Sequence, residues 1–237
     1  MKISVVIAAY KGEKYIAEQL GSILPQLGAD DEIIVSDDYP EGKTKEAVMS
    51  VGDSRIKYTE GPGKGVTENF GYAMSLAKGD VIFLCDQDDV WMPDKVQKVT
   101  GFIEKGFDLV LHDAQVTDAK LNMTDPSFFA LHGTNLSLIS NLVRNGFVGC
   151  CMAFTKELMH AFLPLPRNIP MHDWWIGVYA LKAHYSVKML KEPLIKWRRH
   201  GDNVTGAKTS ALQKIRWRVN ITADLISRMP GKDRKHE

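Results

Sequence analysis

The stretch Gly79-Asp80-Val81-Ile82-Phe83-Leu84-Cys85-Asp86-Gln87-Asp88-Asp89 decides how the chain is read. Val81 to Cys85 is short, apolar and without polar alternation, as expected of a strand buried on both faces. It follows a glycine that ends a helical segment, and it runs straight into acids at 86, 88 and 89. Strands covered on both faces belong to mostly parallel sheets, whose ligands gather beyond the C-terminal strand ends. The acids stand at such an end.

Upstream the same grammar repeats. Ile3 to Tyr10 is a second buried run, broken by Gly12 and followed by Tyr15, Ile16, Leu20, Ile23 and Leu24 at helical spacing. Glu32 to Ser36 is a strand ending on Asp37-Asp38, and Lys45 to Val51 a helix. Arg55 to Thr59 reads as a strand before a loop containing Gly61, Gly63 and Gly65; Val66 to Ala77 is helical. Downstream, Pro93 opens a helix reaching Phe102, proline being tolerated in the first turn. This alternation predicts an α/β fold, a mostly parallel central sheet flanked by helices. After residue 110 the pattern is less regular. Leu109–Leu111, Phe147–Phe154 and Ser186–Leu190 read as strands, and Leu136–Arg144 and Trp174–Ala183 as helices. No linker interrupts the chain, so one continuous domain with two functional halves is expected.

The 237 residues are 44% hydrophobic and 25% charged, which excludes disordered and disulfide-scaffold classes and allows a full core. A net charge of +1 argues against nucleic acid as a partner. Charge is uneven, however: residues 196–237 carry a surplus of +7 and residues 1–195 a net −6. Three cysteines, two of them adjacent, suit a reducing compartment. No apolar run approaches the ~18 residues of a membrane span, and the N-terminus lacks a signal-peptide pattern. The expected location is the cytoplasm. Within Thr209 to Met229, Leu212, Ile215, Val219 and Ile226 recur near one helical face, beside Trp217, Ile221 and Leu225. With Lys214, Arg216, Arg218 and Arg228 they describe a basic amphipathic helix, suited either to the inner face of a membrane or to packing on protein.

Four clusters carry chemistry. Asp86 and Asp88 project on one side of an extended segment and would raise each other's pKa unless a cation lies between them. Hard oxygen ligands suit Mg²⁺ or Mn²⁺, though an acidic capping turn has the same sequence. Asp37-Asp38 reads either as a turn or as an acceptor for a nucleobase or ribose. Asp173, at a helix start beside Trp174 and Trp175, suits a general base with an indole wall for a sugar face; an N-cap before two core tryptophans is the plainer reading. Arg198, Arg199 and His200 offer phosphate or metal contacts, or a solvated basic loop.

In order and spacing these motifs resemble family 2 glycosyltransferases of the GT-A fold, especially bacterial rhamnosyltransferase-like members, over residues 1–206. The similarity rests on Asn69-Phe70, on Gly79 through Trp91 with Pro93-Asp94-Lys95, on His172-Asp173-Trp174-Trp175, and on Arg199-His200-Gly201-Asp202-Asn203-Val204-Thr205-Gly206. The resemblance implies inverting transfer of a sugar from a nucleoside diphosphate, UDP- or dTDP-linked, to a saccharide or lipid-linked hydroxyl in surface polysaccharide synthesis. It implies a donor-binding half at 1–110, an acceptor half at 111–206 and a basic tail at 207–237. Ala8, Tyr10, Asp37, Asp86, Trp174, Trp175 and Arg199 would bind substrate. Asp88 and His200 would hold a divalent metal, Mn²⁺ or Mg²⁺, and Asp173 would deprotonate the acceptor. Departures fall on the nucleotide side: Tyr39-Pro40-Glu41-Gly42 replaces a Gly-Ser-Thr-Asp-like turn, Lys11 stands where Asn is frequent, and Gly63-Lys64-Gly65 lacks an asparagine.

Two other classes remain in view. A sugar-nucleotide pyrophosphorylase would need a glycine-rich basic loop, but Ala8 to Lys14 holds one glycine. A non-catalytic sugar-nucleotide-binding subunit would not need Asp88, Asp173 and His200 together.

Overall fold

A computed structural model describes residues 1–201 and 209–228. Asp202 to Gly206 of the last motif, and the proposed boundary at 206/207, lie outside the described residues. One mixed sheet holds nine strands: β1 (Ile3–Ala9), β2 (Glu32–Asp37), β3 (Ile56–Glu60), β4 (Val81–Cys85), β5 (Val90–Trp91), β6 (Leu109–Thr117), β7 (Met123–Asp125), β8 (Met152–Thr155) and β9 (Val187–Arg198). Their order is β3-β2-β1-β4-β8-β6-β9-β5, with β7 paired to β6. The pairings β1–β2, β1–β4, β2–β3 and β6–β9 are parallel. Only β5, β7 and β8 run against the rest. The sheet is therefore mostly parallel in direction, and six strands end at one edge.

Helices α1 (Ile16–Ile23), α2 (Thr44–Met49) and α4 (Lys95–Ile103) lie on one face, α1 and α4 joined through a 3₁₀ turn at Leu24–Gln26. Helix α3 (Val66–Ser75) covers β1 and β2 on the other face, where it meets α8 (His172–Lys182), itself packed on α7 (Lys156–Phe162). Short helices α5 (Phe128–His132) and α6 (Leu138–Val143) lie between β7 and β8 in the chain, and α9 (Ala211–Arg228) packs on α6 and α8.

Local chemistry accounts for the boundaries. Ser127, Ser137 and Thr155 cap α5, α6 and α7, each side chain accepting a bond from the backbone N–H three residues on. Gly79 ends the α3 segment where any Cβ would lie 2.5 Å from Ser4 N, which brings the chain tightly onto β1. The core is continuous from Val5 and Phe83 to Trp175 and Ile195, so both faces of β1 and β4 are dry, as their composition requires. Two expectations need correction. The run Phe147–Phe154 is a strand only from Met152, because Gly149–Cys151 forms a 3₁₀ turn. The strand expected at Ser186–Leu190 continues to Arg198, past a shift in pairing between His112 and Gln115 that accommodates Pro193.

Candidate active site

The loop after β4 is the centre of the parallel edge. Its acids are not freely solvated: Asp88 and Asp89 are buried and Asp86 is half-buried. Burial and the neighbouring Asp88 carboxylate push Asp86 up to about 7. Burial and both neighbours push Asp89 well up as well. Asp88 Oδ2 lies 2.7 Å from His200 Nε2, and the imidazole rests against Tyr15 at 5.1 Å between ring centroids. The chain ends of β4 and β9 thus bring together two residues 112 positions apart, as the motifs suggested.

Arg198, expected to contact phosphate or to stand in a solvated basic loop, instead builds this loop from within. It is 4% exposed and donates from Nε to Asp88 O (2.7 Å) and from Nη1 to Ala119 O (3.0 Å). Its Nη2 pairs with Glu18, and its backbone N–H donates to Asp89 Oδ1 at 3.0 Å. The side-chain bonds leave from three separate nitrogens of one planar group, a spread that the single nitrogen of an ammonium cannot cover. Arg198→Lys is expected to lose about 2–4 kcal/mol of stability, read as a lower denaturant midpoint; an unchanged midpoint would show that the clamp contributes nothing.

The start of α8 lies near the acids through the Gly149–Cys151 turn. The Gly149 backbone works to lower the Asp173 carboxyl against its burial, and Cys150 Sγ lies within 4.8 Å of carboxylate oxygens of Asp86 and Asp89. Asp173 is buried, accepts from the Trp174 N–H and from Asn145 Nδ2 (3.2 Å), and is pushed up to about 6 by burial. Its charge is felt by Asp86. His172, also buried, lies 4.0 Å from Phe70 between ring centroids, and burial pushes it down to about 3, so it is neutral. A Cβ at position 149 would stand 2.5 Å from His172 Nε2, so glycine is what allows the turn to approach α8.

Trp174 and Trp175 do not form an indole wall. Trp175 is wholly buried with Nε1 donating to Phe162 O at 3.2 Å, and Trp174 is 7% exposed with Nε1 donating to Asn141 O at 2.7 Å. Both are core residues of α8, because each indole N–H finds a buried carbonyl.

On the other flank, Ala8 and Tyr10 end β1. Gln87 clasps Tyr10 in both directions, accepting from its N–H (2.9 Å) and donating to its carbonyl (3.0 Å). The Tyr10 ring meets Tyr39 edge-on at 5.6 Å, with Lys11 Nζ 5.3 Å and 4.8 Å from the two ring centroids. Both rings are exposed and form an aromatic ledge beside the acids. Asp37 does not open onto this ledge: it is fully buried, and its oxygens accept from the Tyr39 N–H and the Tyr58 hydroxyl, each at 3.0 Å. It positions Tyr39. Asp38 accepts from the Gly63 and Gly65 N–H groups at 2.9 Å and 2.8 Å, which fixes the glycine loop. Arg199 is exposed, its guanidinium 4.9 Å from the Trp197 ring centroid.

The donor set fits a hard divalent cation. Asp86 and Asp88 supply oxygens whose crowding raises Asp86, and a bound cation relieves that crowding. Among the described residues Asp86, Asp89 and Cys150 also bring ligand atoms within 4.8 Å of one another. Cys150 is a poor ligand, since its thiol is buried and pushed well up by Cys151 and burial. The thiols of Cys85, Cys150 and Cys151 are free and buried.

Comparison with known proteins agrees with this geometry. The family model described as "Glycosyl transferase family 2" matches residues 4–162. The dTDP-rhamnosyl transferase RfbG of Shigella flexneri is 26% identical over 89% of this chain and 77% of its own length. The Escherichia coli UDP-Glc:alpha-D-GlcNAc-diphosphoundecaprenol beta-1,3-glucosyltransferase WfgD is 32% identical over 40% of this chain and 38% of its own. Among solved structures, S. aureus TarS 1-349 in complex with UDP-GlcNAc superposes with a TM-score of 0.70 at 18% identity, covering 96% of this chain and 72% of that one. The mannosyltransferase PcManGT from Pyrobaculum calidifontis, in complex with GDP-Man and Mn²⁺, gives 0.63 at 16%, covering 97% and 65%. The fold is that of GT-A transferases.

Proposed function

Since the chain belongs to glycosyl transferase family 2, we propose that it moves a sugar from a nucleoside diphosphate to a hydroxyl of a saccharide acceptor, with inversion, in bacterial surface polysaccharide synthesis. One observation carries the reading. The Gly149–Cys151 turn packs its glycine on His172, next to Asp173, and brings Cys150 Sγ within 4.8 Å of the Asp86 and Asp89 carboxylates, and Asp86 feels the Asp173 charge. It therefore sets a buried base against the acids at the end of β4. The names of RfbG and WfgD support a dTDP- or UDP-linked donor, and that of WfgD supports a lipid-linked acceptor.

In this reading the Tyr10–Tyr39 ledge takes the nucleobase by stacking, with Asp37 fixing Tyr39 from below. Asp88, with Asp86 and His200, would hold Mg²⁺ or Mn²⁺. A cation there supplies charge neutralisation to the leaving diphosphate. Arg199 lies on the same edge, placed for phosphate oxygens. Asp173, desolvated and anionic at neutral pH, takes the proton of the acceptor hydroxyl. Trp174 and Trp175 act beneath it as its apolar bed.

A panel of UDP-, dTDP- and GDP-sugars with saccharide acceptors tests the proposal. Release of free nucleoside diphosphate, dependent on acceptor, is expected. Pyrophosphate formation from a nucleoside triphosphate would place the chain with the pyrophosphorylases, and tight donor binding without turnover would make it a binding subunit.

A further inference from the structure

Helix α9 carries two apolar faces, and only one is used by the fold. Ile221 and Leu225 are buried against α6 and α8, with Trp217 packed beside them. Arg218 Nε donates to Val143 O at 2.8 Å, Asn220 Nδ2 to Asn168 O at 3.3 Å, and Arg228 to Pro164 O. That docking leaves Leu212, Ile215, Val219 and Ile226 on the opposite side, at 77%, 55%, 61% and 72% exposure. Where α6 adjoins α9, Ile139 and Val143 are 77% and 58% exposed.

An apolar stripe of this length is unusual on a free protein surface and marks a binding face. The charge around it selects the partner. Arg218 and Arg228 are engaged on the docked side, whereas Lys214 and Arg216 are exposed. Asp224 is the one acid of α9, and exposed Arg144 follows the last residue of α6. A second copy of this face would set like charges together. An anionic lipid surface would compensate them while taking the apolar stripe into its headgroup layer. We infer that the outer face of α9, with the exposed side of α6, seats the protein on an anionic phospholipid membrane. Because α9 packs on α8, whose first turn holds Asp173, this seating sets the base on the lipid-proximal side. That orientation toward a lipid-linked acceptor rests on the transferase reading; the lipid binding does not.

Flotation of the full chain with vesicles, in the absence of donor, tests the inference. Phosphatidylcholine vesicles containing phosphatidylglycerol should carry the protein upward at low salt. Phosphatidylcholine alone should carry much less, and high salt should release it. The double variant Ile215→Glu/Val219→Glu changes only exposed positions. It should weaken vesicle binding at least about tenfold, with an unchanged melting temperature and unchanged turnover of a soluble acceptor. Equal flotation of variant and wild type would overturn the inference. So would a wild-type chain that ignores vesicles but sediments as a dimer which the double variant dissociates, since the face would then belong to a second copy. Failure of sugar transfer, with flotation intact, would count against the transferase reading alone.

Discussion

Asp173→Asn is expected to lower kcat by at least about 10²-fold while making the folded protein more stable at pH 7. The two effects share one cause. Burial holds the Asp173 carboxyl at about 6 instead of the ordinary 3.8. Above pH 6 the folded state therefore carries a desolvated charge that the unfolded chain solvates freely. This costs about 3 kcal/mol at neutral pH, an order-of-magnitude figure. The cost fades as pH falls through 6 and is gone below 3.8, so the stability gained by the amide should shrink over that range. Asparagine keeps the oxygen that accepts from Trp174 and Asn145, so the geometry survives the change. In the wild type, turnover should rise with pH through about 6, as the base ionises. Thermal melts at pH 7 and pH 4, beside a pH–rate profile, check all three statements. A variant with normal kcat and poor donor affinity would move Asp173 from the base to the binding site.

Asp88→Asn should abolish nearly all turnover, by two or more orders of magnitude, and flatten its response to added Mn²⁺ or Mg²⁺. The amide oxygen still accepts a bond from His200, and the backbone of residue 88 still accepts one from Arg198. The loop should therefore hold, and the melting temperature should stay near that of the wild type. What is lost is one negative oxygen among the acids. Titration of donor binding against metal concentration reads this directly. Full wild-type activity in excess chelator would remove the metal from the mechanism.

Much of this was legible because a few segments determine themselves. Val81–Cys85 has no polar position that tolerates solvent, so its burial and its place inside the sheet, parallel to β1, follow from composition. Asp88 and His200 were readable as partners through resemblance, not through spacing. The clamp role of Arg198 was not legible because it depends on Glu18, 180 residues away, and a guanidinium in a basic run reads as solvated. The two-residue strand Val90–Trp91 exists through pairing with Lys196 and Ile195, a long-range contact without local signal. Trp174 and Trp175 misled in the opposite direction. Adjacent indoles suggest a sugar platform, yet which way α8 turns them is set by the carbonyls of Asn141 and Phe162. Helix α9 was drawn with one apolar side and has two, since helical spacing shows where apolar residues recur but not which group another helix will cover.

Strand β8 has a consequence for how such an enzyme diversifies. It runs between β4 and β6, so the strand that carries the acids and the strand that starts the acceptor half are stitched to a common neighbour. Donor and acceptor portions are therefore not exchangeable parts: swapping one for that of a relative would break a ladder in the middle of the sheet. Under the proposed function, new specificities would be written in the edge loops instead, such as Tyr39–Gly42 and the segment between β6 and β8. The ancestry of a loop here will say more about substrate than the ancestry of the whole chain.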